Sequence, residues 1–271
     1  MVGLQEYITS PHNPSIKRIK MLHHKKYRDV YRQYLVEGVK MVKEAVEQGE
    51  SIWALVAARG FDLLGFKEQL DVDMDGLKVL RVEDKLFSSI SDTQTPQGIM
   101  AVVNKKEYSL EGLFSKPSFF IAVLDQIRDP GNLGTIIRTL DAAGGDGAVL
   151  LKGCTDPYSP KVVRSTMGSI FRVPIYEVDD HIAFFKALIQ AKVHILVSHL
   201  HGSNLFEWPG GYDKIALVIG NESEGVRQEI CRFASSLVKI PMPGSAESLN
   251  ASVAAGILIY EVLRKSRQLG P

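Results

Sequence analysis

Short apolar runs, each closed by a turn and followed by residues at helical spacing, recur through the second half of this chain and constrain its fold more than any other feature. They are FFIAVL at 119–124, GAVLL at 147–151, VPIYEV at 173–178, VHILVS at 193–198, IALVI at 215–219 and LVKI at 237–240. Helical patterns are predicted between and after them, over about 132–143, 160–170, 181–191, 225–234 and 248–266. Strands that are apolar throughout and alternate with helices specify a mainly parallel sheet covered on both faces.

The first half carries a smaller alternation. YLVEG at 34–38, a helix over 39–49, IWALVAA at 52–58, a helix near 62–70, KVLRVE at 78–83, a short helix near 83–89 and GIMAVV at 98–103 form a small α/β unit. The charged stretch at 104–118, broken by Gly112 and Pro117, separates the halves. This predicts a first domain at 1–110, a linker at 111–117 and a second domain at 118–271.

At 271 residues with 45% hydrophobic and 23% charged residues, the chain can build a real core in one or two domains. The N-terminus has no apolar signal core, and no run approaches the roughly 20 residues that span a bilayer, so a cytoplasmic location is expected. Cys154 and Cys231 lie far apart with no CxxC spacing, and the seven histidines show no ligand spacing. They suggest small buried hydrophobes and no metal.

The net charge of +1 conceals an uneven distribution. From Pro14 to Lys43 there are nine Lys and Arg residues, among them Lys17, Arg18, Lys25, Lys26 and Arg28, against Asp29 and Glu37. Charge alone fits RNA phosphates and a solvated helix face equally, because Ile16, Ile19 and Leu22 already give the stretch a buried side. Tyr27, Tyr31 and Tyr34 interleave with the cations and shift the balance toward nucleic acid, where aromatic rings stack on unpaired bases.

Three polar, glycine-punctuated islands stand where apolar runs end: DPGNLGTIIRTLDAAG at 129–144, IGNESEG at 219–225 and IPMPGSAESLNASVAAG at 240–256. Strand-to-helix edges are where α/β sheets bind ligands. Asn132, Arg138, Glu222, Ser248 and Asn250 supply amide, guanidinium, carboxylate and hydroxyl groups, with no obvious nucleophile. That inventory suits positioning a polar substrate beside a cofactor. Each residue also has a structural reading: Asn132 as a loop cap, Arg138 as a solvated helical cation, Glu222 as a loop anchor, and Ser248 with Asn250 as a helix N-cap pair. No GxGxxG follows the first strand of this half, and neither a GxxxxGK[ST] nor an acidic-GxGxG loop is present.

In their order and spacing the islands resemble the three motifs of the SpoU/TrmH branch of the SPOUT superfamily, the RNA ribose 2′-O-methyltransferases. Asn132-Leu-Gly134 with Arg138 matches the first motif, Ile219-Gly-Asn-Glu222 to Gly225 the second, and Ile240 to Gly244 with Ser248 to Ser252 the third. The first 110 residues are similar to the ribosomal-protein-like RNA-binding domain that many of these enzymes carry, through Glu37-Gly38 after a basic helix and Thr95-Pro-Gln-Gly98.

The resemblance implies an α/β fold in which a parallel-sheet domain contains a deep trefoil knot, preceded by a small α/β RNA-binding domain. It implies S-adenosylmethionine as cofactor, contacted by Ser198, Leu200, Gly220, Ile240 and Leu249, and a homodimer in which the stripe Leu249, Val253, Ile257, Tyr260 and Leu263 is buried. It implies Asn132, Arg138, Glu222, Ser248 and Asn250 as the catalytic set, and makes Lys17, Arg18, Lys25, Lys26 and Arg28 RNA contacts. Arg164, with Ser165 and Gly168, matches a further segment near the active site or the dimer seam, where Arg164 is a phosphate ligand or an interface ion pair. Guanidinium stays protonated throughout the working pH range, so Arg138 is expected to grip phosphate and ribose and to stabilise developing oxyanion charge. The expected substrate is large-subunit ribosomal RNA; transfer RNA, an antibiotic-resistance role on ribosomal RNA and a non-catalytic ribosome assembly factor are the alternatives.

Overall fold

The computed structural model describes residues 5–72, 74, 76–221 and 224–266. The chain divides into two compact units: residues up to Glu107 together with Asp156–Phe171, and Tyr108–Thr155 together with the residues from Arg172 onward. The division departs from the unbroken boundary expected at 111–117, because 156–171 packs with the first unit.

The first unit contains β1 (Gln5–Ile8), α1 (Pro14–Met21), α2 (Lys25–Tyr31), β2 (Gln33–Glu37), α3 (Val39–Glu47), β3 (Ile52–Ala58), α4 (Leu63–Glu68), β4 (Val79–Val82), α5 (Asp84–Ile90) and β5 (Ile99–Asn104). Its sheet runs β1-β4-β3-β5-β2. β1, β4 and β3 are parallel, while β5 is antiparallel to both β3 and β2. Ile16, Ile19 and Leu22 seat α1 on a core shared with Leu80, Phe87 and Met100. The four-residue edge strand β1 is too short and polar for its periodicity to declare it.

The second unit contains α6 (Leu110–Phe114), β6 (Phe119–Leu124), α7 (Pro130–Ala142) and β7 (Gly147–Leu151). After β7 the chain enters the first unit, where α8 (Pro160–Ser165) lies. It then continues through β8 (Ile175–Val178), α9 (His181–Gln190), β9 (His194–Asn204), β10 (Lys214–Ile219), α10 (Gln228–Cys231), β11 (Ser236–Lys239) and α11 (Ala251–Ser266). The sheet order is β11-β9-β10-β6-β7-β8 with every pairing parallel. All residues of β6 and β7 are buried, as strands covered on both faces require. Among the described residues no helix is long and apolar enough to cross a membrane.

The segment 156–171 is held in the first unit by chemistry that spacing does not reveal. Asp156 takes the buried Arg28 guanidinium through Nε at 2.8 Å and Nη2 at 2.5 Å. The Tyr158 ring lies 4.9 Å from that of Tyr34, and Lys105 Nζ sits 4.6 Å from the Tyr158 centroid. Gly168, at φ +95°, lies so close to Glu44 that a Cβ would fall 2.0 Å from its Oε2.

One irregularity shapes the second sheet. β11 pairs with β9 at Ser236↔Leu196 and Leu237↔Val197, then resumes at Val238↔Ser203 and Lys239↔Asn204. Ser198 to Gly202 are thereby left out of the ladder. A Cβ on Gly202 would lie 2.5 Å from the backbone nitrogen of Val238, which is backbone and cannot step aside. Gly202→Ala is expected to cost about 1–3 kcal/mol, read as a lowered urea midpoint with unchanged slope.

Candidate functional site

The ladder break opens a cleft of about 260 Å³ at the carboxyl ends of the strands. Ser198, His199, Leu200 and His201 line one side, Ile219 to Asn221 with Glu224 to Val226 another, and Lys239, Ile240, Met242, Ser248 and Leu249 a third, with Ala251 and Ala254 of α11 beneath. All five residues expected to touch the cofactor, Ser198, Leu200, Gly220, Ile240 and Leu249, line this cleft. Leu200 is 68% exposed, an apolar side chain held at its mouth.

The loop after β10 is folded tightly. Gly225 N donates to Asn221 O at 2.9 Å, and the two residues form an isolated bridge. A Cβ on Gly220 would lie 2.2 Å from the carbonyl carbon of Gly225, so only glycine permits this closure. Asn221 Nδ2 donates to Gln126 O at 3.2 Å.

Asp125, fully buried at the end of β6, fixes the loop from beneath. Its carboxylate accepts Arg227 N at 2.9 Å and Nε at 2.9 Å and pairs with Nη2 at 2.8 Å. A carboxylate removed from water requires such a partner. The sequence reading omitted both residues; an aspartate closing a wholly apolar strand was the available signal.

The first and third islands meet at α7 and α11. Asp129 caps α7, its Oδ1 accepting from Asn132 N at 2.7 Å, and Pro130 opens the helix. Asn132 is therefore the third helical residue and not a cap, and its Oδ1 accepts Asn250 Nδ2 at 3.0 Å. Asn250 Oδ1 accepts from Ser252 N at 3.0 Å and Ser252 Oγ at 2.6 Å, capping α11. Ser248 is exposed in the cleft wall. Arg138 is exposed on α7 and makes no hydrogen bond or ion pair among the described residues. Glu222 lies outside the described residues.

The cations expected to touch RNA separate in the first unit. Lys17, Lys25 and Lys26 are exposed. Arg28 is not available: it is 3% exposed, bound to Asp156, and donates through Nη1 to Leu22 O at 2.7 Å, so it holds the fold together. Arg164 pairs with Asp92 at 2.8 Å. Arg18 is half-buried with its Nε on Gln33 Oε1 at 3.0 Å. Tyr34, read as a stacking ring, is buried against Tyr158.

Burial pushes the Cys154 thiol up to about 11, and it donates to Leu124 O at 3.2 Å; Cys231 is likewise free and raised by burial. Neither is a thiolate nucleophile. Among the described residues no group of three or more His, Cys, Asp or Glu is placed to hold a metal ion.

The model of the SpoU rRNA Methylase family matches residues 120–260, and that of the MRM3-like substrate binding domain matches residues 13–101. The chain is 32% identical over 257 residues to the 23S rRNA (guanosine(2553)-2′-O)-methyltransferase RlmP of Bacillus subtilis, covering 94% of this chain and 98% of that protein. The crystal structure of an AdoMet-bound rRNA methyltransferase from Sinorhizobium meliloti superposes with a TM-score of 0.82 at 34% identity, over 98% of this chain and 99% of that one. The SpoU methyltransferase AviRb from Streptomyces viridochromogenes, in complex with AdoMet, superposes with a TM-score of 0.82 at 27% identity, over 96% of this chain and 100% of that one.

Arg227→Ala leaves the Asp125 carboxylate buried without its cation. The expected loss is about 3–5 kcal/mol of stability, measured by urea unfolding at neutral pH.

Proposed function

The chain belongs to the SpoU rRNA methylase family, and from that premise we propose that it is an S-adenosylmethionine-dependent RNA ribose 2′-O-methyltransferase acting on large-subunit ribosomal RNA. The observation that carries this reading is the Asn132–Asn250 hydrogen bond. It joins the first and third islands one residue away from Leu249 and Ala251 of the cleft.

The cleft suits the cofactor. Ile219, Val226, Ile240 and Leu249 offer apolar faces to an adenine, and Gly220 and Gly225, packed against each other, put backbone without a side chain at two positions of the wall. Bound there, S-adenosylmethionine supplies an electrophilic methyl group on a positively charged sulfur.

The protein's task is to hold a ribose 2′-hydroxyl in line with that methyl and to favour loss of its proton. Asn250, fixed by Asn132 and by its own capping bonds, is a rigid amide beside the cleft. Ser248 adds a hydroxyl that makes no hydrogen bond among the described residues. Arg138, with its guanidinium uncommitted among the described residues, grips the phosphate beside the target ribose and stabilises oxyanion charge as it develops. Glu222 is assigned to orienting Arg138 or the 220–225 loop, on the resemblance alone.

Three further features belong to this proposal. The β9 excursion past β11 is consistent with a trefoil knot threaded at the cleft. Val253 and Tyr260 stand exposed one above the other on α11, with Gly256 and Ile257 between them half-buried, and this face is assigned to a homodimer seam. The match over residues 13–101 supports an RNA-binding role for the first unit.

Incubation with methyl-labelled S-adenosylmethionine and unmodified ribosomal or transfer RNA, followed by nucleoside analysis, tests the whole reading. A labelled 2′-O-methylnucleoside from ribosomal RNA is expected. Label in transfer RNA alone would replace the substrate, and absence of both transfer and cofactor binding would favour an assembly factor. Arg138→Ala is expected to lower transfer by roughly 10²–10³-fold while calorimetric cofactor binding stays unchanged; full transfer by this variant would remove Arg138 from the mechanism.

A further inference from the structure

At one end of the first unit's sheet, where β2, β3 and β4 begin and β5 ends, three cations and three aromatic rings form a continuous row. Lys78 Nζ lies 5.0 Å from the Trp53 centroid, and the Arg18 guanidinium lies 4.6 Å from Trp53 and 4.5 Å from Tyr31. Tyr31 stacks on Tyr27 at 6.4 Å, and Lys26 Nζ lies 5.9 Å from the Tyr27 centroid. The order along the stack is Lys78, Trp53, Arg18, Tyr31, Tyr27, Lys26. Three cations from α1, α2 and the segment before β4 are thus brought together by folding.

The polar neighbours set this row in place. Arg18 Nε is held by Gln33 Oε1 at 3.0 Å, Gln33 Nε2 donates to Asn104 Oδ1 at 2.7 Å, and Asn104 Nδ2 to Ser51 Oγ at 2.8 Å. The terminal nitrogens of Arg18 make no hydrogen bond among the described residues. The one carboxylate paired with a cation of the row, among the described residues, is Glu6, 3.9 Å from Lys78, an exposed contact that a stronger anion displaces.

We propose that this cation–aromatic row is an RNA-backbone contact site, in which Lys78, Arg18 and Lys26 take phosphates of the substrate strand and the rings hold those cations in place. The inference rests on the RNA-methyltransferase reading and deepens it. Charge complementarity identifies the partner. Trp53 is engaged by Arg18 and Lys78, and Tyr31 by Arg18 and Tyr27; with these two rings taken up within the row, its cations are assigned to the backbone, which carries no sequence information. Trp53 and Lys78 lie outside the basic stretch of the sequence and join it only through the sheet.

The chain has two tryptophans, and Trp208 is buried in the second unit, so Trp208→Phe in the full-length protein leaves Trp53 as a reporter. The probe is a fluorescein-labelled transcript of large-subunit ribosomal RNA, compared with a transcript of scrambled sequence. RNA is expected to quench Trp53. Arg18→Ala/Lys78→Ala is expected to weaken both transcripts equally, by roughly tenfold or more, and to reduce the slope of log K against log salt by about 1.4, at about 0.7 for each single-strand phosphate no longer neutralised. Lys26→Ala/Lys78→Ala, which leaves Arg18 packed between its rings, repeats the test should the first variant melt early.

Wild-type binding with an unmoved Trp53 signal and unchanged affinities and slopes in both variants would overturn the proposal, leaving the row a structural stack. A weakening confined to one transcript would overturn its backbone character. Failure of the wild type to bind either transcript would instead overturn the ribosomal RNA reading on which it rests.

Discussion

The catalytic half depends on one buried ion pair. Asp125 ends β6 with no exposure to water, and its carboxylate is held by the backbone N–H and guanidinium of Arg227. Four residues after Asp125 comes the cap of α7, the helix that carries Asn132 and Arg138; just before Arg227 runs the turn that forms one wall of the cleft. The pair therefore sets the separation between that cleft wall and the helix root. A buried pair of this kind stabilises little against a hydrophobic alternative, but it admits one geometry, because Arg227 Nε and its backbone N–H must reach the two oxygens of the same carboxylate.

Around that anchor the cleft is built from close approaches of backbone. Gly202 against Val238 and Gly220 against Gly225 leave no space for a side chain, and Gly220 and Gly225 line the cleft together with Ile240 and Leu249. A flat, polar-edged ligand is recognised by such a surface through shape and backbone hydrogen bonding, with few ionisable groups involved.

Periodicity made the second sheet legible, since β6, β7 and β10 are apolar along nearly their whole length and have to be buried on both faces. The five cleft residues were reachable through the family resemblance, and Asn132 and Asn250 through the first and third motifs, but their mutual hydrogen bond was not. Other features left no local trace. The ladder break in β9 appears only when β11 is laid beside it. Arg28 was counted as a surface cation because charge patterning cannot show that Asp156, 128 residues away, takes its guanidinium. The structural alternative for Asn132, a loop cap, is filled instead by Asp129, three residues before it and outside the motif that drew attention to Asn132.

The excursion of 156–171 makes the two units inseparable as pieces of gene. The polypeptide passes between them at 107/108, at 155/156 and again at 171/172, so the unit that begins the chain is completed by residues encoded inside the other. A fragment ending at Glu107 would carry Arg28 in its core without Asp156 and Tyr34 without Tyr158. Exchange of the N-terminal region of this chain for another therefore demands a matched internal cassette, because neither unit is encoded by one uninterrupted stretch.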